Sequence, residues 1–144
     1  MTTNAVYGNY PLKAIVGAVN FTTNTVKCAL ISNAYTPNVD TDIFFGAPAT
    51  YQGSGTGYTA GGVTLTTKTA TYNASTNTAM LDADDITFTG VTLSAVRYAV
   101  FYEYSGSNAT SPLICYMDFG ADRNPTAQNL QITLPSTGLV YLTV

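Results

Sequence analysis

The segment from Leu93 to Phe119 constrains the fold of this chain more than any other. Two runs rich in aromatic and β-branched residues flank a short polar cluster that contains Gly106. This pattern is typical of an antiparallel hairpin closed by a loop. The sequence therefore predicts that two neighbouring long strands form the centre of the molecule.

Side-chain alternation along the two strands predicts their register. If Tyr104 lies opposite Ser111, one face of the hairpin is apolar or aromatic throughout, whereas a slip by one residue would mix the two faces. The predicted pairs on that face are Tyr102 with Leu113, Val100 with Cys115, Tyr98 with Met117, and Val96 with Phe119. Those on the other face are Phe101 with Ile114, Ala99 with Tyr116, and Arg97 with Asp118, the last a structural ion pair. We expect a second layer to cover the apolar face. We also expect Tyr98, Val100, Phe101, Leu113, Cys115 and Met117 to be mostly buried.

The remaining sequence also favours strands. Only 9% of the 144 residues are charged, and the abundant Thr, Asn, Ser, Gly and Tyr suit strands and tight turns. We therefore predict an all-β fold, an antiparallel β-sandwich or flattened barrel of about seven to nine short strands. Further strands are predicted at Val26–Ser32, Thr64–Tyr72, Thr78–Asp82, Asp84–Gly90, Asn129–Leu134 and Leu139–Val144, the last two as a hairpin.

The predicted domain organisation is an N-terminal arm at residues 1–10 followed by one β-sandwich domain at residues 11–144. Tyr7 and Tyr10 could anchor the arm onto a neighbouring molecule, or they could pack on their own domain. The run from Leu12 to Phe21 fits either a short helical turn ended by Gly17 or the first strand of a hairpin.

An irregular segment runs from Asn33 to Thr50. Asp40 could begin a helix over residues 40–45, the only helix we predict outside the ambiguous N-terminal run, with Gly46 closing it. Ile43, Phe44 and Phe45 are bulky for a loop. They form either a lid over one end of the core or a contact patch for a partner.

A glycine-rich segment follows, with five glycines between Gly53 and Gly62. Its G-x-G pattern resembles a nucleotide-binding loop, but that motif requires a following helix. Here a strongly β-forming run follows instead, so the glycines are interpreted as turns and bulges.

No constellation for catalysis or metal binding stands out. The chain has no His, and Asp82, Asp84 and Asp85 form its only acidic cluster, without the spacing of a calcium loop. No base is paired with a Ser or Thr nucleophile. We therefore predict no enzyme activity, no catalytic residue, no cofactor and no metal site.

Cys28 and Cys115 lie in predicted strands and are interpreted as buried free thiols, with a disulfide between adjacent strands as the alternative.

The charge pattern also bears on possible partners. The net charge of −3 includes no basic stripe, so nucleic acid is not an expected partner. No apolar run approaches the roughly 20 residues of a spanning helix, and no signal-peptide pattern opens the chain, so no membrane partner is expected. A surface so poor in charge favours a subunit in contact with neighbours, although stable monomers with bland surfaces also exist.

Several short motifs follow one another along the chain. They are VKCALI from Val26, YTPN from Tyr35, DTDIFF from Asp40, GTGYTAGGVTL from Gly55, LDADD from Leu81, RYAV from Arg97 and SPLICYMDFG from Ser111. These motifs, in this order, resemble a family of small structural proteins of tailed bacteriophages. The resemblance runs from about Lys13 onward, and at Phe88 the family usually has Trp.

The resemblance implies a virion component, above all a capsid decoration or cement protein on the outer surface of the head. It also implies the major capsid protein as partner, a homotrimer or other homo-oligomer, and assembly in the host cytoplasm. The alternative is a tail or head-fibre adhesion module that binds host surface glycans.

Overall fold

The computed structural model describes residues 3–144 as an all-β sandwich, with 42% of the residues in strands and 8% in helices. This confirms the predicted fold class. The described elements, in chain order, are β1 Thr3–Val6, α1 Asn9–Ile15, β2 Val26–Ser32, α2 Gly46–Ala49, β3 Val63–Thr64, β4 Thr69–Asn73, β5 Thr78–Asp82, β6 Ile86–Val91, β7 Val96–Glu103, β8 Leu113–Arg123, β9 Gln128–Ile132 and β10 Val140–Thr143.

The strands form three antiparallel sheets. The largest has the order β1-β8-β7-β2-β3, the next β10-β5-β4, and the smallest β6-β9. We call these the central sheet, the outer sheet and the short sheet. The predicted hairpin of β7 and β8 is confirmed, and it lies in the middle of the central sheet.

Both faces of the central sheet are covered. On one face, Cys28, Leu30 and Phe101 pack in a cluster with Phe88 and Ile132 of the short sheet, which forms the main core. The other face carries a second core, whose members are Tyr7, Ala29, Ile31, Tyr35, Phe45, Val100, Tyr102 and Leu113. Successive side chains of β2 and β7 point to opposite faces of the sheet, and most of them are buried on either face. The two strands are therefore nearly continuous apolar runs.

The predicted hairpin register is wrong by one residue over most of its length. Tyr102 faces Leu113 as predicted, but Phe101 faces Cys115 and Val100 faces Tyr116, with an irregularity between the two stretches. The predicted register assumes that one face of the hairpin is buried and that the other is open to solvent. Because both faces are buried here, an apolar side chain is acceptable on either side, and the pattern cannot select the register.

Arg97 and Asp118 form the predicted ion pair despite this shift. Their Nε and Oδ1 atoms are 2.5 Å apart, although Asp118 lies opposite Tyr98 in the ladder. Arg97 falls where the register changes, and its long side chain spans the offset. The hydrogen bond from Arg97 lowers the pKa of the Asp118 carboxyl below its ordinary value.

The strands from β2 to β5 differ from prediction at one place. The bounds of β2 and β5 are as predicted, whereas the run from Thr64 to Tyr72 is divided between β3 and β4. Thr67 lies at the break with a positive φ of 51°, a left-handed conformation that is outside the β region and uncommon for a residue with a side chain.

The predicted hairpin of the last two strands is wrong. β9 pairs with β6 and β10 pairs with β5, so the segment around Pro135–Gly138 connects two sheets. Gly138 has a φ of 82°, and a Cβ at this position would overlap the Met80 side chain. This close approach to β5 allows β10 to join the outer sheet.

The predictions for the N-terminal residues and for the helix at 40–45 also need correction. Residues 3–10 form β1 and the start of α1, so they belong to the domain and are not an arm; Met1 and Thr2 lie outside the described residues. The ambiguous run from Leu12 begins as helix.

Residues 40–45 are not helical, because the Asn38 side chain accepts hydrogen bonds from the backbone N–H groups of Asp40 and Thr41 in a turn. The short helix α2 begins at Gly46 instead.

Cys28 and Cys115 are free and buried. Both face Phe101, from opposite sides of β7, so two strand spacings separate them. At about 4.8 Å per spacing, their Cα atoms lie beyond the roughly 7 Å limit for a disulfide. Burial raises the pKa of both thiols, which stay protonated inside the core.

The glycine-rich segment is a turn region, as predicted, and the two-residue strand β3 follows it. Gly62 has a φ of 74°, and a Cβ there would overlap the Cys28 carbonyl oxygen. Gln52 closes the loop by accepting from the Gly61 N–H at 2.6 Å and from the Tyr58 hydroxyl at 3.1 Å.

Candidate functional site

Tyr7 and Tyr10 do not lie on the surface. The Tyr7 and Tyr35 hydroxyls are 3.0 Å apart in the second core, and the Tyr10 hydroxyl donates to Glu103 Oε1 at 2.8 Å. Burial raises the pKa of both N-terminal tyrosines. Of the two alternatives predicted for these rings, the structure shows packing on their own domain and not contact with a partner, since the pairing of β1 with β8 carries them inside.

Glu103 organises this N-terminal region, and the sequence analysis gave it no role. Its carboxylate is buried and accepts from the Tyr10 hydroxyl, the Asn20 N–H and the Asn24 side-chain amide at 2.7–3.1 Å. Hydrogen bonds from three separate groups stabilise a carboxylate that is shielded from water. Glu103 therefore fixes α1 and the turn at residues 20–24 against the end of β7.

The three bulky loop residues Ile43, Phe44 and Phe45 divide between the two predicted roles. Phe45 is fully buried, and its ring stacks on Tyr102 with centroids 3.8 Å apart. Ile43 is half-buried, and its carbonyl accepts from the Leu113 N–H at 3.0 Å. Phe44 is 38% exposed. The lid interpretation therefore holds for Phe45, and Phe44 is the member left for a partner.

Helix α1 and its C-cap residue Val16 add three exposed apolar side chains. Leu12, Ile15 and Val16 are 57%, 83% and 67% exposed. Their spacing of i, i+3 and i+4 places them on one side of the helix. Lys13 lies between this side and the loop, with its ammonium 4.7 Å from the centre of the Phe44 ring. We call Leu12, Ile15, Val16 and Phe44 the helix patch.

Gly17 terminates α1, so the helix patch does not extend along a longer helix. Gly17 has a φ of 72°, its N–H donates to the Ala14 carbonyl, and the Ala18 N–H donates to the Lys13 carbonyl. These are the two hydrogen bonds of a Schellman C-terminus. Tyr10 is the buried member of α1, so the helix is attached at its start and exposes its second half.

A second exposed apolar surface lies on the outer sheet. Tyr72, Ala79 and Leu142 form one cross-strand row, in which the two outer members are each 58% exposed. The neighbouring row ends in Leu81 and Val140, which pack against the main core. This face of the outer sheet therefore packs on the main core at the end of Leu81 and Val140 and is exposed to solvent at the end of Tyr72 and Leu142. β4 and β10 contain no charged residue.

The opposite face of the outer sheet is a shallow groove of about 360 Å³. Its residues are mainly hydroxyl-bearing, with one amide and one tyrosine ring. They are Thr71, Asn73, Thr76, Thr78, Met80, Ser136, Thr137, Tyr141 and Thr143. A groove of this chemistry offers hydrogen-bond donors and acceptors beside the apolar surface of Met80 and the Tyr141 ring, and it carries no charge.

The aspartates between β5 and β6 have separate partners. Asp84 accepts from the Thr66 and Thr67 hydroxyls, and Asp85 accepts from the Leu134 N–H at 2.9 Å. Asp82 Oδ1 is buried without a hydrogen-bond partner among the described residues. Within residues 3–144, no group of three or more cysteine or acidic side chains is close enough to hold a metal ion.

Comparison with protein-family models, with curated proteins and with solved structures gave no match. No helix in the described part of the chain has the length and apolar character needed to cross a membrane. The functional argument therefore depends on the two exposed apolar surfaces and on the motifs in the sequence.

Proposed function

We propose that this chain is a bacteriophage virion structural protein, a capsid decoration or cement protein that binds the outer surface of the head and stabilises it. The helix patch is the observation that carries the proposal. Three apolar side chains are exposed together on a helix whose other half is anchored in the domain. Exposed apolar patches on soluble proteins commonly mark interaction sites.

The partner that we propose for the helix patch is the major capsid protein. Burial of a Leu, Ile or Val side chain contributes about 1.5–3 kcal/mol, so this patch alone supports modest affinity per copy. A head surface repeats the same site many times, and an oligomer that engages several sites gains affinity through avidity. Modest contacts are thus sufficient for a protein that binds a lattice.

The fold supports the mechanical part of this proposal. The central sheet is packed on both faces, so bending it would disturb two cores at once. Close-packed interiors have low compressibility and transmit strain. A rigid body attached to neighbouring capsomers would oppose their separation under internal pressure. This role requires binding and stiffness and no catalytic step.

Binding to heads tests the proposal. Purified expanded heads that lack this protein would be mixed with the wild type and with Ile15→Asp, and the bound fraction measured by sedimentation. Ile15 is 83% exposed, so the substitution should leave the fold intact while placing a charge in the contact. We expect at least a tenfold loss of affinity.

Ala74→Asp is the matched control, because it adds the same charge at an exposed turn residue outside the helix patch. It should bind as the wild type does. Equal binding by Ile15→Asp and the wild type would refute the helix patch as the contact. Absence of the protein from purified particles of the encoding virus, measured by quantitative mass spectrometry, would refute the virion assignment itself.

An adhesion module that binds host surface glycans is the second candidate. The groove on the outer sheet favours it, since Tyr141 and several hydroxyls line one uncharged surface. Copy number separates the two candidates. Hundreds of copies per particle, distributed over the head, would support decoration, whereas a few copies at the tail would support adhesion.

A further inference from the structure

Strand β10 presents an unprotected edge. One side of the strand pairs with β5, and in the part of the chain that the structure describes no backbone hydrogen bond reaches its other side. The residues from Val140 to Val144 include no Pro and no charge, and the ladder with β5 has no bulge. Proteins usually protect exposed edges with such features, because an open edge pairs readily with another strand.

The direction of the backbone groups along β10 follows from its pairing. Val144 donates its N–H to the carbonyl of Asn77, the residue that precedes β5. Backbone groups alternate between the two sides of an antiparallel strand, so Val140, Leu142 and Val144 direct theirs towards β5. The N–H and C=O groups of Tyr141 and Thr143 therefore point away from β5, at the open edge.

The side chains of β10 alternate in a pattern that is complementary to itself. Val140, Leu142 and Val144 lie on one face of the sheet, and Tyr141 and Thr143 lie on the other. An antiparallel pair of two β10 strands centred on Leu142 would oppose Val140 to Val144, and Leu142 to Leu142. Every cross-strand pair on that face would be aliphatic.

The backbone geometry is compatible with the same centre. In such a pair, Tyr141 of one copy and Thr143 of the other form the hydrogen-bonded positions, which are the residues whose groups point outward. Leu142 occupies the non-hydrogen-bonded position, where Cα atoms are about 4.5 Å apart. Among the registers that satisfy the hydrogen bonding, the one centred on Leu142 is favoured because it pairs all five residues from Val140 to Val144.

We propose that the open edge of β10 binds the same edge of a second copy of this chain, which joins the two outer sheets into one continuous sheet about a two-fold axis centred on Leu142. A strand paired antiparallel with itself is an isologous contact, so the product is a closed dimer. The row of Tyr72, Ala79 and Leu142 would then continue into the same row of the second copy. The proposal depends on the surface of the chain alone and not on the capsid assignment.

The other edge of the outer sheet is a poorer candidate. A self-pair of β4 centred on Thr71 would oppose Ala70 to Tyr72 and Thr69 to Asn73, which mixes polar and aromatic residues. Pairing β4 with β10 of another copy would be a heterologous contact, which yields rings or filaments. Of the two edges of the outer sheet, β10 is therefore the one whose outward backbone groups coincide with aliphatic side-chain pairs.

The dimer should be weak. Two short strands bury less than the roughly 1,000 Å² of a stable interface, so we expect reversible association in the micromolar range or weaker. Sedimentation velocity over a concentration series should show monomer and dimer in exchange. Leu142→Lys places two positive charges at the two-fold axis and should raise the dissociation constant at least tenfold.

Tyr72→Lys is the matched control. Tyr72 lies in the same row as Leu142, on the opposite edge of the sheet, and has the same 58% exposure. This substitution should leave the dimer unchanged. A wild type that stays monomeric at all concentrations would overturn the proposal, as would a trimer, or a dimer that is lost with Tyr72→Lys and kept with Leu142→Lys.

Cross-linking tests the register. The native thiols are buried, so a cysteine introduced at the surface would be the accessible one. Under mild oxidation Leu142→Cys should form a disulfide-linked dimer on a non-reducing gel, whereas Tyr72→Cys should stay monomeric. Equal cross-linking of the two variants would indicate random collision and contradict the proposal. So would cross-linking of Tyr72→Cys alone, or of neither variant.

Discussion

Replacement of Phe45 by Ala tests whether the loop over the second core is part of the folded unit. The Phe45 side chain has no exposed surface, and its ring lies 3.8 Å from the Tyr102 ring and within 5° of parallel. The loop cannot easily collapse into the space left by Ala, because the Phe45 N–H donates to the Ser111 carbonyl at 2.9 Å. A cavity should therefore remain.

The magnitude follows from three contributions. Loss of a fully buried aromatic side chain costs about 1.5–3 kcal/mol in transfer free energy. The cavity adds about 24 cal/mol per Å³, and the lost aromatic pair adds roughly 0.5–1.5 kcal/mol. Truncations of buried Phe to Ala fall at about 3–5 kcal/mol. For a chain of this length we expect a decrease in Tm of roughly 9–15 °C, at about 3 °C per kcal/mol.

Urea unfolding followed by circular dichroism measures the change in free energy, and Phe44→Ala is the control. Phe44 is the neighbouring residue of the same type but is 38% exposed, so its loss should cost less than about 1 kcal/mol. A cost below about 1 kcal/mol for Phe45→Ala, or equal costs for the two variants, would show that the loop is not packed as described.

Two further predictions concern the backbone and the surface charge. Gly62→Ala should destabilise the fold by clearly more than Gly90→Ala in urea unfolding; both positions have a positive φ, which costs about 1–2 kcal/mol with a side chain, but only Gly62 would also overlap the Cys28 carbonyl. Equal costs would contradict the close approach. Asp118→Asn should reduce the loss of unfolding free energy that the wild type shows as the pH falls below about 4. Because Arg97 lowers the folded-state pKa of Asp118, its stabilisation is present above about pH 4 and is lost as the pH falls through that lowered value. An unchanged loss would contradict the ion pair.

Fold class and most strand positions could be predicted because they depend on local signals. The bounds of β2 and β5 follow from alternation and from the turn residues beside them. The register of β7 and β8 could not be predicted in the same way, since it depends on which surfaces cover the sheet. Phe45 and Tyr7 reach the second face from distant segments, and no periodicity within the hairpin reveals them.

The candidate site was predicted in part, and the errors have a common cause. The segment of Tyr7 and Tyr10 was predicted to be an arm because it lacks a period, and this left open whether the two rings anchor a neighbour or pack on their own domain. β1 gives no such periodic signal because it is short and pairs through its backbone. The signal for the helix patch was present as apolar residues at positions 12, 15 and 16. It was ambiguous because the run is too short to distinguish one helical turn from a strand.

The outer sheet shows why the exposed surfaces are hardest to read from sequence. The Pro135–Gly138 segment carries the local signals of a hairpin, yet its two flanking strands join different sheets. A turn signal specifies that the chain changes direction but not which strand it meets next. That choice was made by the packing of Leu81 and Val140 on the main core, which placed β10 beside β5 and left the row ending in Leu142 open. The contact surface that we propose is therefore a consequence of long-range packing, and its aliphatic alternation becomes meaningful only once the edge is known to be free.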